Sequence, residues 1–188
     1  MTSPFLIGKK TVLRPLVMDD APFLNKWVND PENRRYMTTS IPISEITEKG
    51  WIEKQSAHSM SPASITFVIE TKKGKPIGTM GLNAISWVHR HATTGSMIGD
   101  KAYRGKGYAK DAKMVLLQYA FDTLGLHKII SHAFAVNLAS TEYNKRCGYV
   151  QEAVLKDEFF REGRYHDVAV LACFRPTWAQ AAKKLGYL

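Results

Sequence analysis

The chain has 188 residues, of which 45% are hydrophobic and 23% are charged, a balance typical of a folded globular protein rather than of a disordered or membrane-spanning one. At this length we expect one domain over residues 1–188, and because residues 1–10 lack the apolar run of a secretory leader we expect it in the cytoplasm without membrane contact. The net charge of +9 is spread along the chain without a block of like charges, so an anionic small ligand or an acidic partner explains it as well as nucleic acid does.

The first half of the chain predicts a strand, two helices and a hairpin. The strand and hairpin rest on β-rich runs and turn residues, and the first helix rests on apolar side chains that recur every three to four positions. Asp19 and Asp20 are candidate caps of the first helix, and the second helix has a weaker apolar face of Ile46, Trp51 and Ile52. In order, the elements are a strand at 11–16, a helix through 23–28 that ends at 29–31, a helix that begins at 44, and hairpin strands at 65–70 and 76–82.

The second half predicts a strand, a long helix and a strand in succession, which is the order of a right-handed parallel crossover. Gly125 follows the long helix as a C-terminal cap, and Asn137 is placed to cap the next helix. The predicted elements are a strand at 93–100, a helix at 107–124, a strand at 128–135, a helix from 137 to 147–148, and strands at 150–160 and 165–174 joined by a turn at 162–164.

The loop of residues 104–109 joins the predicted strand to the long helix and carries the clearest chemical signal. Gly105 and Gly107 permit positive φ and a close backbone approach, and the helix start supplies unpaired N–H groups and a positive dipole end. Arg104 and Lys106 add positive charge. We therefore expect this loop to bind a pyrophosphate.

Two well-known phosphate-binding motifs differ from this loop at specific positions. A Walker loop is excluded because five residues separate Gly99 from Gly105, and because Gly107 follows Lys106 where a magnesium-binding hydroxyl is needed. The dinucleotide fingerprint also fails, since Lys110 stands at its third glycine. A glycine-rich connection between a strand and a helix can also be only a turn, without any ligand.

The loop matches the acetyl-coenzyme A signature Arg/Gln-x-x-Gly-x-Gly/Ala at Arg104, Gly107 and Ala109, and with it the chain resembles the GCN5-related N-acetyltransferases, the GNAT superfamily. Within it, the chain is most similar to the branch of ribosomal-protein N-terminal alanine acetyltransferases and related small-amine acetyltransferases. The resemblance implies a three-layer α+β fold, with a mixed, twisted sheet of about seven strands and helices on both faces, and acetyl-CoA as co-substrate without a metal. Further matching segments are residues 11–16, 77–78, 137–140 and 148–149.

The same resemblance implies where the co-substrate lies. Strands near 96–99 and 129–134 would splay into a V-shaped gap that admits the pantetheine arm, and the loop at 104–109 would hold the pyrophosphate. The implied cofactor-binding residues are Met97, Ile98, Gly99, Arg104, Gly105, Lys106, Gly107, Tyr108, Ala109, Asn137, Ser140 and Asn144.

The chemistry requires an aligned amine, a stabilised oxyanion and a proton for the departing thiolate. The backbone N–H of Ile98 is a candidate for the oxyanion, and no covalent intermediate is needed. Many family members return the proton from a tyrosine seven residues after the Asn, but that position is Asn144 here, and Tyr143 is rotated from it by about 100°. The resemblance therefore implies Ser140, beside Asn137, as the catalytic candidate; a serine that only bonds the backbone or the cofactor fits equally well.

The base that deprotonates the acceptor is left open, and a relaying water is one alternative. Trp87, His89 and residues 40–53 are candidates to shape the acceptor pocket. Cys147 and Cys173 have no metal-ligand or Cys-x-x-Cys spacing, so we expect two core thiols, no disulfide framework and no metal. The candidate bases are His89, His91, Glu152, Asp157, Glu158, His166 and Asp167.

Three functions follow from these residues. The first is acetylation of a protein amino terminus, the second is acetylation of a small amine, and the third is a non-catalytic acyl-CoA-binding or nucleic-acid-binding module. The presence of both Asn137 and Ser140 beside the phosphate loop favours an enzyme that binds acetyl-CoA and a primary amine, and disfavours nucleic acid. The acceptor is not specified, and a homodimer is an arrangement left open.

Overall fold

An eight-stranded sheet forms the centre of the protein, and the computed structural model describes residues 3–57 and 60–188. The strands are β1 (Leu6–Ile7), β2 (Thr11–Pro15), β3 (Ile65–Thr71), β4 (Pro76–Ser86), β5 (His91–Ile98), β6 (Lys128–Phe134), β7 (Val150–Arg161) and β8 (Arg164–Phe174). The helices are α1 (Ala21–Asn29), α2 (Pro31–Arg34), α3 (Glu45–Ser56), α4 (Tyr108–Gln118), α5 (Leu138–Arg146) and α6 (Arg175–Leu185). The predicted α+β fold is confirmed, with eight strands instead of about seven because β1 adds a short edge.

The sheet consists of two antiparallel halves that meet at one short parallel contact. In spatial order the strands are β1, β2, β3, β4, β5, β6, β8 and β7. Strand β5 pairs with β6 only at His91, Ala92 and Thr93, whose partners are Lys128 to Ile130. Beyond that point the strands separate, and we call the opening between residues 94–98 and 131–134 the fork. A V-shaped gap at this place is what the family resemblance implies.

Two hydrophobic clusters place helices on opposite faces of the sheet. The larger cluster packs α4 and α6 against the sheet through fully buried side chains such as Leu116 and Trp178. The smaller cluster packs α1 and α3 on the other face, with Leu24 and Ile52 in its centre. Successive side chains of β5 point to opposite faces of the sheet. Thr94 and Ser96 bond side chains of α4 and α5 on one face, and Met97 packs against the α1 and α3 cluster on the other. The β5 side chains at the fork therefore contact a different helical layer on each face of the sheet.

The start of α1 is held by a buried ion pair instead of by the predicted cap. Arg14 makes two hydrogen bonds of 2.7 Å with the carboxylate of Asp20, and its Nε donates to Glu70 at 2.6 Å. Asp20 precedes α1, but its side chain makes no capping bond to that helix. The prediction of an aspartate cap was therefore wrong in its chemistry, because the bidentate arginine takes the carboxylate oxygens.

Several boundaries differ from the sequence-based expectation. The strand expected at 93–100 is β5, which starts and ends two residues earlier, and α4 passes into one π-helical turn at Tyr119–Thr123. Ile46 is 84% exposed, so the apolar face of α3 was wrong at that position. Strand β1 and helices α2 and α6 were not predicted. Within residues 3–57 and 60–188, no helix is long and apolar enough to cross a membrane.

Candidate active site

Residues 104–110 form a backbone arrangement suited to an anion, which we call the anion cradle. Gly105 and Gly107 have φ values of +70° and +83°, and Gly107 is the residue before the first turn of α4. The first main-chain bond of the helix runs from the N–H of Asp111 to the carbonyl of Gly107, at 3.0 Å. The N–H groups of residues 108–110 thus have no partner within the helix and are available to a phosphate. The positive φ values of both glycines agree with the prediction, and the unpaired N–H groups suit a diphosphate.

The cations around the cradle differ from the expected set. Lys10, which sequence reasoning missed, donates from Nζ to the carbonyl of Lys106 at 3.0 Å. Arg104 instead turns towards α2, where it pairs with Glu32 at 2.5 Å and also bonds Asn33. Its Nε donates to the carbonyl of Ile98 at 3.1 Å. The side chain of Arg104 therefore braces the loop against α2.

A buried carboxylate fixes the start of α4 relative to the sheet. Asp111 accepts hydrogen bonds from the N–H groups of Lys9, Lys10 and Thr11 at 2.8 to 2.9 Å, and from the hydroxyls of Thr11 and Tyr187. Burial alone favours the neutral acid, but these hydrogen bonds hold the pKa of Asp111 below its usual value. The cradle is thereby connected rigidly to the β1–β2 turn.

The backbone of β5 forms one wall of the fork. Gly95 and Ser96 are exposed although they lie in the middle of the sheet, because β6 has moved away from them. Gly99, just beyond β5, lies against the ring of Trp27 so closely that a Cβ would overlap it. Main-chain groups of residues 94–98 on this side have no partner in β6. They are free to pair with an extended, amide-containing ligand.

The start of α5 forms the other wall. The side chain of Asn137 accepts from the N–H of Ser140 at 3.2 Å, as its predicted capping role requires. Asn144 is fully buried and donates to Ser131 of β6 at 3.3 Å, while its Oδ1 has no partner within the described residues. Tyr143 extends to β5, where its hydroxyl lies 2.5 Å from the hydroxyl of Ser96. Tyr143 therefore does reach the fork, because Asn144 occupies the position nearer β6.

Comparison with known proteins identifies this arrangement. The acetyltransferase (GNAT) domain family matches residues 10–150, which include the cradle, both walls of the fork and α5. The chain belongs to the GNAT acetyltransferase family. A spermidine N(1)-acetyltransferase of Vibrio cholerae is 35% identical over 162 residues, which cover 86% of this chain and 91% of that protein. A putative ribosomal N-acetyltransferase of Bacillus subtilis is 25% identical over 170 residues, which cover 88% and 86%.

Solved structures agree with the sequence relatives. The crystal structure of spermidine N-acetyltransferase from Vibrio cholerae in complex with CoA and spermine has a TM-score of 0.83, at 28% identity over 90% of this chain and 98% of that one. This GNAT protein is thus an acetyl-CoA-dependent N-acetyltransferase, with acetyl-CoA as its co-substrate and an amine as its acceptor. The predicted superfamily and activity are confirmed.

On the face opposite α4 and α5, the GNAT fork is bordered by aromatic side chains. The ring of Phe134, at the end of β6, lies 6.0 Å from Tyr36, 5.2 Å from Phe159 and 5.7 Å from His166, measured between centroids. Arg161 donates to the carbonyls of Met37 and Thr39, so the loop between α2 and α3 is fastened to the end of β7. We call this group, Tyr36, Phe134, Phe159, Arg161 and His166, the aromatic border.

Of the candidate bases, the structure brings only His166 into the aromatic border. His89 and His91 stack at 6.2 Å beside the closed end of the fork, since His91 pairs with Lys128 there. Glu152 is also at that end, in a 2.6 Å ion pair with Lys128. Trp87 bonds the carbonyl of Pro62, away from the open end.

Among the acidic candidates of the β7–β8 hairpin, Asp167 is engaged by a lysine and by the main chain of Asp157. Asp167 pairs with Lys156 at 2.7 Å and accepts from the N–H of Asp157, and the ion pair holds the pKa of Asp167 below its usual value. Asp157 has a φ of +51° at an irregularity of β7, and Glu158 follows it. A carboxylate stabilised in its charged form is a weak base at neutral pH.

Proposed function

We propose that the enzyme transfers the acetyl group to the primary amine of a small molecule by direct attack within a ternary complex. The observation that carries the proposal is the fork, where residues 94–98 of β5 have no partner in β6 and Gly95 and Ser96 are exposed. An acyl donor held by the anion cradle on the α4 and α5 side would present its carbonyl to an amine on the side of the aromatic border. Both substrates would then be bound together, and proximity and orientation would supply most of the rate enhancement.

A covalent acyl-enzyme route has no suitable nucleophile among the cysteines. Cys147 and Cys173 are the two cysteines of the sequence, and both are buried. Burial raises the pKa of each thiol to about 12, so neither is a thiolate at neutral pH. This supports direct attack by the amine.

The residues around the fork have the following proposed roles. Main-chain N–H groups of Gly105, Lys106, Gly107, Tyr108 and Ala109 bind the diphosphate, and the backbone of Met97, Ile98 and Gly99 pairs with the pantetheine arm. The N–H of Ile98 stabilises the oxyanion, and Asn137 orders the start of α5. Ser140, whose hydroxyl makes no hydrogen bond within the described ranges, and Tyr143 are both close enough to the fork to protonate the thiolate. The Tyr143 hydroxyl, which already contacts β5, is the better placed of the two.

The acceptor is proposed from the relatives and from the charge of the aromatic border. Relatives that acetylate spermidine make a polyamine the first compound to test. However, no Asp or Glu occurs between Glu32 and Glu45, where Arg34 ends α2 and Arg35 follows it, and Arg161 bonds the loop that comes next. A cationic border repels a polycation and attracts a carboxylate. The second candidate is therefore an amine with a nearby carboxylate, such as an amino acid or the amino terminus of a peptide that begins with Asp or Glu.

The test is release of CoA thiol from acetyl-CoA in the presence of an acceptor panel. The panel contains spermidine, amino acids and short peptides with free amino termini, and each product is identified by mass. Thiol release with one acceptor class and none in the Gly107→Val variant is the expected result. Binding of acetyl-CoA without thiol release for any amine would support a non-catalytic acyl-CoA module. Retention of duplex or RNA that weakens steeply with salt would support the nucleic-acid alternative.

A further inference from the structure

Helix α4 carries a lysine in the interior of the protein, where the fork begins. Lys113 has no exposed surface, and its Nζ donates to the hydroxyl of Thr94 at 2.7 Å. Among residues 3–57 and 60–188, no carboxylate lies within ion-pair distance of it. Buried lysines are normally paired, because an isolated charge loses its hydration. A salt bridge therefore does not account for a lysine at this position.

Two tyrosine rings flank this ammonium group. Nζ lies 5.5 Å from the ring centroid of Tyr143 and 5.4 Å from that of Tyr149, both within cation–π range. Thr94 also bonds the Tyr149 hydroxyl at 3.2 Å and donates to the carbonyl of Ile130 at 3.4 Å. Lys113 is thus anchored to the point at which β5 and β6 separate.

The other titratable groups that face Lys113 are all neutral at physiological pH. They are Tyr143 and Cys147 from α5 and its end, Tyr149 just after it, and Cys173 from β8. Burial raises the pKa of every one of these thiols and phenols. Among the described residues of this cluster, Lys113 is therefore the one side chain that carries a charge at physiological pH.

We propose that Lys113 is a positioning residue for acetyl transfer, acting through Tyr143. Its ammonium group, held by Thr94 beneath the Tyr143 ring, keeps the phenol hydroxyl in the fork and stabilises the negative charge that the phenol acquires when it gives up its proton. This inference rests on the proposed function and assigns a role that a neutral core residue cannot fill.

Atoms and charges balance in the transfer step. The amine nitrogen bonds the acetyl carbon, the carbon–sulfur bond breaks, and its electron pair remains on sulfur. Before the attack the acceptor ammonium loses one proton to water, so the attacking nitrogen is a neutral amine, and Tyr143 gives its proton to the departing sulfur. The nitrogen then releases its second proton, which reaches Tyr143 through water, and Lys113 keeps its own protons throughout.

The first test compares the pH dependence of kcat in wild type, Lys113→Met, Tyr143→Phe and the double variant, with Lys183→Met as a control that removes an exposed charge. Burial lowers the pKa of Lys113 to about 8, so wild-type kcat falls above about pH 8 as the ammonium group is lost. We expect Lys113→Met to lower kcat roughly 10-fold at pH 7, a part of the ~10²–10⁴-fold that a proton donor contributes. It also removes the decline above pH 8.

The double variant separates a positioning role from a structural one. If Lys113 acts through Tyr143, adding Lys113→Met to Tyr143→Phe costs little further activity. Independent, multiplying losses, or a Lys113→Met enzyme with the wild-type pH profile, would overturn the inference. Lys183→Met is expected to match wild type throughout.

A second measurement does not depend on turnover. The ammonium of Lys113 can be titrated by NMR in wild-type protein labelled with ¹³C-lysine, in the presence of CoA and, separately, of acetyl-CoA. Over the pH range of the titration CoA can lose its thiol proton, whereas the thioester cannot, and a thiolate in the fork raises the pKa of Lys113; we therefore expect a higher midpoint with CoA. Equal midpoints would overturn the role of Lys113, whereas failure of both molecules to bind would refute the proposed function itself.

Discussion

Replacing Lys113 by methionine should stabilise the protein at neutral pH. Burial lowers the pKa of this lysine from 10.5 to about 8, and a shift of that size corresponds to about 3 kcal/mol that folding loses at pH 7. Methionine is unbranched and of similar length, so it fills the same space. The lost hydrogen bond to Thr94 costs about 1 kcal/mol. We therefore expect a net gain of about 2 kcal/mol.

The sign of the pH dependence distinguishes this effect from ordinary repacking. Between about pH 8 and 10.5 the unfolded chain keeps the Lys113 proton and the native state has released it. The free energy of unfolding of the wild type therefore increases as the pH rises through this range. Cys147 and Cys173, with pKa values raised to about 12, change stability in the opposite direction. Those terms are common to both proteins and cancel in the difference. The advantage of Lys113→Met should shrink by about 2 kcal/mol between pH 7 and pH 9.5.

The assay is urea unfolding of wild type, Lys113→Met and Lys183→Met, followed by tryptophan fluorescence at pH 7 and at pH 9.5. Lys183 is exposed on α6, so its variant reports the effect of net charge alone. A Lys113→Met protein less stable than wild type at pH 7, or an advantage that does not change with pH, would refute the reasoning. It would mean that the ammonium group is solvated or paired in solution.

Three further predictions concern the anion cradle. Acetyl-CoA at 100 times its dissociation constant should stabilise the fold by about 2.7 kcal/mol and raise Tm by roughly 5–10 °C; no shift at saturation would contradict the cradle assignment. Gly107→Val should abolish that Tm shift in thermal scans, because a φ of +83° strains a β-branched residue and the side chain blocks a phosphate. The control Gly163→Val, at φ +76° in the β7–β8 turn, should retain the Tm shift. Asp111→Asn should lower the free energy of unfolding by about 2–3 kcal/mol at pH 7 in urea titrations. Because the pKa of Asp111 is depressed in the native state, this difference from wild type should disappear as the pH falls below 3.8. A loss of stability that is independent of pH would contradict this.

Much of the fold was predictable because local patterns and tertiary contacts agree. Gly105 and Gly107 mark the cradle whatever surrounds them, and Asn137 caps α5 with its own next turn. Helix α6 was missed, although Pro176 in its first turn and Gly186 after its end are the usual signals of a helix. Ile46 has helical spacing but faces solvent, because α3 is short of partners at its first turn.

The features that sequence could not supply join residues far apart in the chain. The carboxylate of Asp111 bonds main-chain groups about 100 positions away, and Arg104 bonds α2 some 70 positions earlier. A charge pattern does not reveal such partners. Lys113 did leave a signal: it lies four residues after Ala109 and three before Leu116, both on the apolar stripe of α4. A lysine on the apolar stripe of a helix is in itself a sequence signal of a buried charge.

Only three residue pairs join β5 to β6, and this has a consequence for remote parts of the molecule. We call each antiparallel half of the sheet a panel, and these three pairs are the main-chain connection between the two panels. A molecule that fills the opening fixes the angle between them, so amide hydrogen exchange should slow even at the ends of β7 and β8 that lie away from the aromatic border. Exchange rates on the distant panel would thus report occupancy for inhibitors of any shape.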